Sequence, residues 1–389
     1  MLKVKTYNAI SDKGLTRFNS DLISVSADHT SPDALMLRSY KLQADEIDDT
    51  VLCVGRAGAG VNNIPLPTCT DRGIPVFNAP GANANAVKEL VLCGLLLSSR
   101  GIIDGINFAK GLEGETDNSV LNKTLEAEKK RFKGRELQGK TLGVVGLGAI
   151  GSLVAQTGLM MGMNVVGYDP ALSVEAAWRL PSDVKKMDNL SALFAKSDYV
   201  TLHLPVLDST RGLVSHKLVE GFKPGLVLLN FARAEIVDPE AVVAGMESGR
   251  IAQYICDFPH PSLAGVTGIT AMPHIGASTD EAEENCAIMV ADQLQDFLLN
   301  GNIKNSVNFP ALSLERTEGY RITVTNSNIP KMLGAITSAI ADANLNVLDM
   351  LNKSRENIAY NIIDVADEPT AEVLQVLQDL EGVINVRVI

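Results

Sequence analysis

The sequence predicts an α/β protein: a doubly wound parallel sheet at its centre and a smaller β-α-β-β-α-β module at its C-terminal end. Three observations predict this. From Thr141 onward, strand-like runs at 141–145, 164–168, 199–203, 226–230, 251–255 and 268–272 alternate with helix-length segments. That is the pattern of βαβ units, whose strands are covered on both faces and read as continuous apolar runs. The final stretch of the chain carries four strand-like and two helix-like segments in a different order. The chain is also long, 389 residues with 46% hydrophobic and 21% charged residues. At about 100–200 residues per domain it divides into two or three.

Taken in order, residues 34–37 (ALML), 51–54 (VLCV) and 74–77 (IPVF) read as buried strands, each followed by Arg, Gly or Asn. An amphipathic helix spans about 84–100. The polar segment 104–140 carries the charge-rich run LEAEKKRFKGRELQGK and reads as a solvated face without chemistry. Helical periodicity is lost around 301–316, where Asn and Pro accumulate. Beyond it come a strand at 320–325 and a helix over 330–343, whose Met332, Leu333, Ile336, Ile340 and Ala343 share one face. Strands at 345–351 and 358–363, a helix at 370–380 and a strand at 383–389 complete a ferredoxin-like module.

With 34 Lys plus Arg against 46 Asp plus Glu, the formal charge is -12. That balance argues against nucleic acid or an anionic membrane as partner, because phosphates require a basic face. No run approaches the roughly 18 apolar residues of a membrane span, and the first residues carry no signal-peptide pattern. The five cysteines are scattered without CxxC spacing, so neither a disulfide framework nor a zinc site is expected. A soluble, cytoplasmic chain with no metal is the expectation.

Gly146, Gly148 and Gly151 stand in G-x-G-x-x-G spacing between the strand 141–145 and a helix, with Asp169 at the end of the next strand. Each glycine has its own physical role. Gly146 permits the tight turn, Gly148 lets backbone approach a pyrophosphate, and Gly151 lets helix pack on strand. The helix's first N–H groups face the anion. Asp169 would accept bonds from ribose hydroxyls and repel a 2′-phosphate, which favours NAD over NADP.

Three patterns sit at later strand ends: His203-Leu204-Pro205, Asn230 to Arg233, and Pro273 to Thr279. Oxidising a secondary alcohol requires a base for the hydroxyl proton and a cation for the substrate's charge. Histidine suits the first and the planar fork of arginine suits a carboxylate. His274 is the candidate base and Arg233 the candidate carboxylate anchor. His203, two residues before Pro205, reads more as part of a turn beside the cofactor. Near the N-terminus, Arg38 and the run Arg56-Ala57-Gly58-Ala59-Gly60 follow strands, and Asn78 opens a similar turn. Two arginines and bare backbone suit a second anionic group such as a phosphate; structural loops are the alternative.

At these residues the chain resembles the D-isomer-specific 2-hydroxyacid dehydrogenases, and within them the short bacterial phosphoglycerate dehydrogenases with a C-terminal ACT domain. VGRAGAGVNNIP at 54–65, GIPVFNAPGANANAVKEL at 73–90, GKTLGVVGLGAIG at 139–151, PHIGASTDEAEENCA at 273–287 and NGNIKNSVNFP at 300–310 carry the likeness. The resemblance implies two Rossmann-like lobes with the active site in the cleft between them. Residues 1–98 and 273–301 would form the substrate lobe and 99–272 the NAD lobe, with a linker at 302–316 and the ACT domain at 317–389. It implies NAD-dependent oxidation of 3-phospho-D-glycerate to 3-phosphohydroxypyruvate, the first step of L-serine biosynthesis.

By resemblance Arg38 and Arg56, with Gly58 and Asn78 beside them, take the phosphate end of the substrate. Arg233 takes its carboxylate, and His274 moves the proton. Ala59, Ala149, Ile150, Asp169, His203, Leu204, Pro205, Phe231, Ala232, Asp257, His274, Gly276 and Ala277 join the three glycines at cofactor positions. Asn328 and Asn346 match asparagines that bind L-serine in regulated relatives, and paired modules imply a homo-oligomer, dimer or tetramer. Two departures stand out. The family's glutamate partner of the histidine, five residues beyond Asp257, is Ser262 here, and a histidine expected two residues before Asn328 is Asn326. Two other readings remain open: a dehydrogenase of an unphosphorylated acid (glyoxylate, hydroxypyruvate, 2-oxoglutarate or D-lactate), and a non-catalytic NAD-sensing binding protein.

Overall fold

The computed structural model describes residues 1–389, the side chain of Glu175 apart. The chain divides into two compact units, Met1–Asn83 with Thr279–Ile389, and Ala84–Ser278. The first unit opens on a five-stranded sheet: β1 (Leu2–Tyr7), β2 (Ile23–Ser26), β3 (Ala34–Leu37), β4 (Cys53–Arg56) and β5 (Val76–Phe77). Their order is β2-β1-β3-β4-β5, and every neighbour is parallel. All four residues of β3 are fully buried, as an inner strand of a sheet covered on both faces requires. The strand expected at 51–54 begins two residues later, since Ala34 pairs with Cys53 and Leu37 with Arg56. Arg56 therefore ends the strand rather than following it. The first two strands are not evident in the sequence: Lys3 and Lys5 interrupt β1, and only Val4 is buried there.

The helix Asp280–Asn300 packs on this sheet through Cys286, Val290, Leu294 and Phe297, at helical spacing. Thr279 caps its start, accepting the Ala282 N–H at 3.1 Å, and Gly301 ends it in the left-handed region at φ 70°. A Cβ at Gly55 on β4 would lie 2.5 Å from Val290 Cγ1, so the close approach of helix to sheet depends on that glycine.

The second unit holds seven parallel strands: β6 (Thr141–Val145), β7 (Asn164–Tyr168), β8 (Lys185–Lys186), β9 (Tyr199–Leu202), β10 (Leu226–Asn230), β11 (Ile251–Cys256) and β12 (Ile269–Ala271). Their order, β12-β11-β10-β9-β6-β7-β8, reverses between β6 and β9. In doubly wound sheets ligands bind beyond the carboxyl ends of the strands at such a reversal. The helix Ala84–Ser99 matches the expected span. The charged segment after it forms two helices, Ile102–Lys110 and Asn118–Glu128, neither with a buried residue.

The C-terminal module is β13 (Tyr320–Ser327), helix Met332–Asp342, β14 (Val347–Arg355), β15 (Ile358–Val365), helix Ala371–Gln378 and β16 (Val383–Val388). Its antiparallel order is β14-β15-β13-β16. One face carries the helices, whose Ile336, Ile340 and Leu377 pack over Ile322, Val324 and Ile363. The other joins the first unit's core through Ile358, Tyr360 and Ile362, together with Phe297 and Phe309. Every residue of β15 is consequently buried. Residues 302–316 are packed rather than loose: Ile303, Phe309 and Leu312 are buried, and Ile303 bridges to Leu312.

Side chains of this sheet also take the carbonyls that the helix Asp280–Asn300 leaves unpaired at its end. Arg321 Nη1 donates to Asn300 O (2.8 Å), the Tyr360 hydroxyl to Gly301 O (2.8 Å), and Arg387 to Phe297 O (3.3 Å) and Leu298 O. Arg321 and Asp364 form a fully buried bidentate pair, 2.6 and 2.8 Å. Further donation to Leu314 O and Glu315 O gives all five guanidinium hydrogens an acceptor. Among the described residues, no helix is long and apolar enough to cross a membrane and no cluster of His, Cys, Asp or Glu is placed to hold a metal.

Candidate active site

The glycine run after β6 lies where the strand order reverses. Gly146 turns at φ 88°, and a Cβ there would sit 2.4 Å from His203 O, at the end of the neighbouring β9. At Gly151, in the helix Ala149–Met160, a Cβ would lie 1.9 Å from Gly146 O. Both glycines serve the protein's own packing. Gly148 differs: it caps the helix at φ -68°, and a Cβ there would meet nothing within 4 Å. The space beside Gly148 at the start of the helix is thus free of protein atoms, which fits a pyrophosphate held at a helix N-terminus. Asp169, just past β7, accepts Leu147 N–H (2.8 Å) on one oxygen and Ala171 N–H (2.9 Å) on the other. These bonds fix its carboxylate beside the glycine turn.

His203 bonds Thr201 Oγ1 through Nε2 at 3.0 Å, and its enclosed Nδ1 has no partner. Burial pushes its pKa down to about 3, so the ring stays neutral and is no acid or base at working pH. Leu204 packs beside Gly146, and Pro205 O accepts the Thr210 hydroxyl at 2.6 Å.

At the end of β10 the buried Asn230 builds a turn. Its Oδ1 accepts Ala232 N–H (3.1 Å) and its Nδ2 donates to Arg233 O (2.9 Å). Phe231 and Ala232 are buried by that turn while Arg233 is exposed, with Nη1 on Ala232 O at 2.6 Å. Asp257, at the end of β11, is 1% exposed and holds the histidine loop: Oδ1 accepts Ile275 N–H (2.8 Å) and Oδ2 Gly276 N–H (2.7 Å). A Cβ at Gly276 would come 3.0 Å from Oδ2, so that position favours glycine. His274 itself is in the left-handed region at φ 58°, a conformation a non-glycine residue keeps only when its surroundings over-determine it. The Asp257 clamp supplies that restraint. The His274 imidazole is exposed, its ring 5.0 Å from that of Phe258 and tilted by 54°. Ala277 is exposed in the same loop.

In the first unit, Arg38 follows β3 and Arg56 ends β4. Arg56 Nε donates to Arg38 O at 3.0 Å, and Asn63 Nδ2 donates to the same carbonyl at 3.1 Å. A Cβ at Gly58 would strike Arg56 Nη1 at 1.9 Å, so the arginine folds back over a bare backbone. Asn78 Nδ2 binds Ala59 O at 2.6 Å, tying the two turns together. Arg38 also pairs with Glu283 on the helix Asp280–Asn300.

The family model described as the D-isomer specific 2-hydroxyacid dehydrogenase NAD binding domain matches residues 106–276. A D-3-phosphoglycerate dehydrogenase of Haemophilus influenzae is 32% identical over 352 residues, 87% of this chain and 81% of that protein. The chain belongs to the D-isomer-specific 2-hydroxyacid dehydrogenases. A Methanocaldococcus jannaschii protein of the same name is also 32% identical, over 82% of this chain, which spans only 59% of that longer relative. The NAD+-bound 3-phosphoglycerate dehydrogenase of Entamoeba histolytica superposes with a TM-score of 0.60 at 26% identity, covering 80% of this chain and 99% of that one. The chain is thus an NAD-dependent dehydrogenase, and Gly146, Gly148, Gly151 and Asp169 fit that cofactor.

As a dehydrogenase of this family it departs at Ser262, whose hydroxyl lies 2.7 Å from His260 Nδ1 instead of serving His274. In the module, Asn328 Nδ2 donates to Glu356 O (2.9 Å), and Asn346 O accepts Ala366 N–H (2.9 Å). Asn326 is 2% exposed and accepts Asn361 Nδ2 at 2.8 Å, while Asn352 reaches Asn361 Oδ1 at 2.6 Å. Glu283, Phe258 and Asn63 carry site geometry that sequence reasoning missed, and Asn230, read there only as the start of a strand-end pattern, is the residue that builds the turn. That role could have been found from its Asn-x-Ala spacing, which suits an Asx-type turn; Glu283 is 245 positions from Arg38 and gives no local signal.

Proposed function

We propose that this chain oxidises 3-phospho-D-glycerate to 3-phosphohydroxypyruvate with NAD, the first step of L-serine biosynthesis. The observation that carries this is the pair Arg38 and Arg56 on adjacent strand ends, linked through the Arg38 carbonyl. Two cations serve a substrate with a second anionic group, and Gly58 leaves backbone for it. Arg233 holds the carboxylate, and a ring nitrogen of His274 takes the hydroxyl proton as the C–H hydride leaves. Bound NAD supplies the hydride acceptor. Asp257 and Phe258 keep the His274 loop and ring in place.

A second reading, oxidation of an unphosphorylated 2-hydroxy acid, has the Arg38–Glu283 pair in its favour, since a paired arginine needs no ligand. NADH consumption with 3-phosphohydroxypyruvate, beside hydroxypyruvate and 2-oxoglutarate, separates the two. The phosphorylated acid should be preferred, and Arg38→Ala or Arg56→Ala should lower that preference by about tenfold to a hundredfold, as charged hydrogen bonds of about 1.5–3 kcal/mol dictate. An unchanged ratio in both variants would establish the second reading.

The functional division into a substrate lobe (1–98, 273–301), an NAD lobe (99–272), a connecting segment (302–316) and an ACT-type module (317–389) belongs to the same proposal. It differs from the packing units at the helix Ala84–Ser99 and at 273–278. A cytoplasmic homo-oligomer fits it. For the module, the geometry favours a packing role over L-serine sensing. The Asn328 amide donates to a main-chain carbonyl, and Asn326 is buried in an asparagine ladder. L-serine should leave both rate and melting temperature unmoved; inhibition would make the module a sensor.

A further inference from the structure

We propose that Glu283 is a positioning residue for the substrate's distal anionic group: it grips one amino group of Arg38 and thereby aims the rest of that guanidinium beside Arg56. The proposal rests on the reading of Arg38 as part of the phosphate subsite.

Arginine loses rotamer entropy when it is fixed, and the Arg38 side chain is 38% exposed. Left alone it would sample many orientations, and a ligand would have to bear the cost of ordering it. Here the main chain and the side chain are fixed separately. The Arg38 carbonyl is held by Arg56 Nε and Asn63 Nδ2, which sets the strand end. The side chain is held by Glu283, one turn into the helix Asp280–Asn300, whose start is fixed by the Thr279 cap.

The contact is single, Nη2 to Oε1. A carboxylate used for stability alone gains most from the two-pronged arrangement. The single contact leaves Nε and Nη1 of Arg38 without a protein acceptor among the described residues. Cys286, three residues on and buried beneath, marks the meeting point. Burial raises its pKa, while the charges of Arg56 and Arg38 act to lower it and that of Glu283 to raise it. Arg38, Arg56 and Glu283 thus all lie close enough to Cys286 to act on it electrostatically. Their sum is one positive charge, so the subsite discriminates by the direction of its donors more than by bulk attraction.

The test is the steady-state kinetics of the full chain with 3-phosphohydroxypyruvate and with hydroxypyruvate. Glu283→Ala should raise the KM for the phosphorylated acid about tenfold while kcat changes little, and should lower the phosphorylated-to-unphosphorylated preference by a similar factor. Glu283→Gln keeps an acceptor for Nη2 and should recover most of the loss. An unchanged KM in Glu283→Ala overturns the proposal. So does a lowered KM, which would make Glu283 a competitor of the substrate, and so does an equal rise for hydroxypyruvate, which would mark general damage. If Glu283→Ala does not fold, Glu283→Asp, with shorter reach, must show the same selective rise. Arg38→Ala separates the two levels: if it raises the phosphorylated-acid KM and Glu283→Ala does not, only this inference fails. If neither does, the reading of Arg38 fails with it.

Discussion

His203 and His274 both follow strands or strand-like segments of one sheet, and their surroundings give them different roles. His203 is neutral because burial disfavours its charged form. Unfolding releases it to titrate near the ordinary value of about 6.5, so between there and about 3 the unfolded chain binds more protons. Its contribution to stability is complete above that upper value and falls away as pH drops through the window. Replacing His203 by Gln should flatten the decline of melting temperature with acid, while leaving the pH dependence of turnover unchanged. A changed rate profile would return His203 to the acid–base chemistry. Asp364 follows the same logic from the carboxylate side. Desolvation alone would raise its pKa, but the Arg321 hydrogen bond and charge outweigh this, with Thr317 adding donors, and hold it below the usual range. Its stabilisation is present above about pH 4 and is lost as the medium acidifies through its folded value. Arg321→Met leaves that carboxylate buried and unpaired, at a cost of about 3–5 kcal/mol. Denaturant melts should show it, and a loss below about 1 kcal/mol would mean that water reaches the pair.

At the scale of elements, the glycines of the turn after β6 separate structure from ligand. Gly151→Ala drives a methyl into Gly146 O and should lower the melting temperature without cofactor. Gly148→Ala meets no protein atom and suits its φ of -68°. It should melt like the parent while its KM for NAD rises by about tenfold or more, since the methyl enters the space left for the pyrophosphate. Equal melting losses in both variants would contradict this division of labour. The parallel strands from β6 onward were legible because a sheet covered on both faces imposes uninterrupted apolar runs, and the C-terminal module because its helices keep an apolar face. β1 and β2 were not, since Lys3 and Lys5 interrupt the apolar run of β1 and Ser24 and Ser26 that of β2. The glycine turn, Asp169 and the loop of His274 were legible because their chemistry is local in sequence. The Arg38–Glu283 pair and the Phe258–His274 ring contact were not, because tertiary packing creates them from distant residues.

Across the whole molecule, the last seventy or so residues are continuous with the first unit. One face of the module's sheet completes a core that also contains Phe297 and Phe309, and Arg321, Tyr360 and Arg387 satisfy the end of the helix Asp280–Asn300. That helix carries Glu283 at its other end. The sequence-based expectation of a boundary at 301–316 reflected lost periodicity, which marks irregular backbone and says nothing about whether that backbone is packed. These features bear on how such a chain could have been assembled. A C-terminal module acquired as an interchangeable cassette needs only a linker and a neutral surface. This one would leave behind bare carbonyls and an open apolar face if it were exchanged for another of the same topology. Exchange of the module is therefore constrained by the portion it packs on, and chimeras that swap it should fail unless the residues at 297–314 are swapped with it.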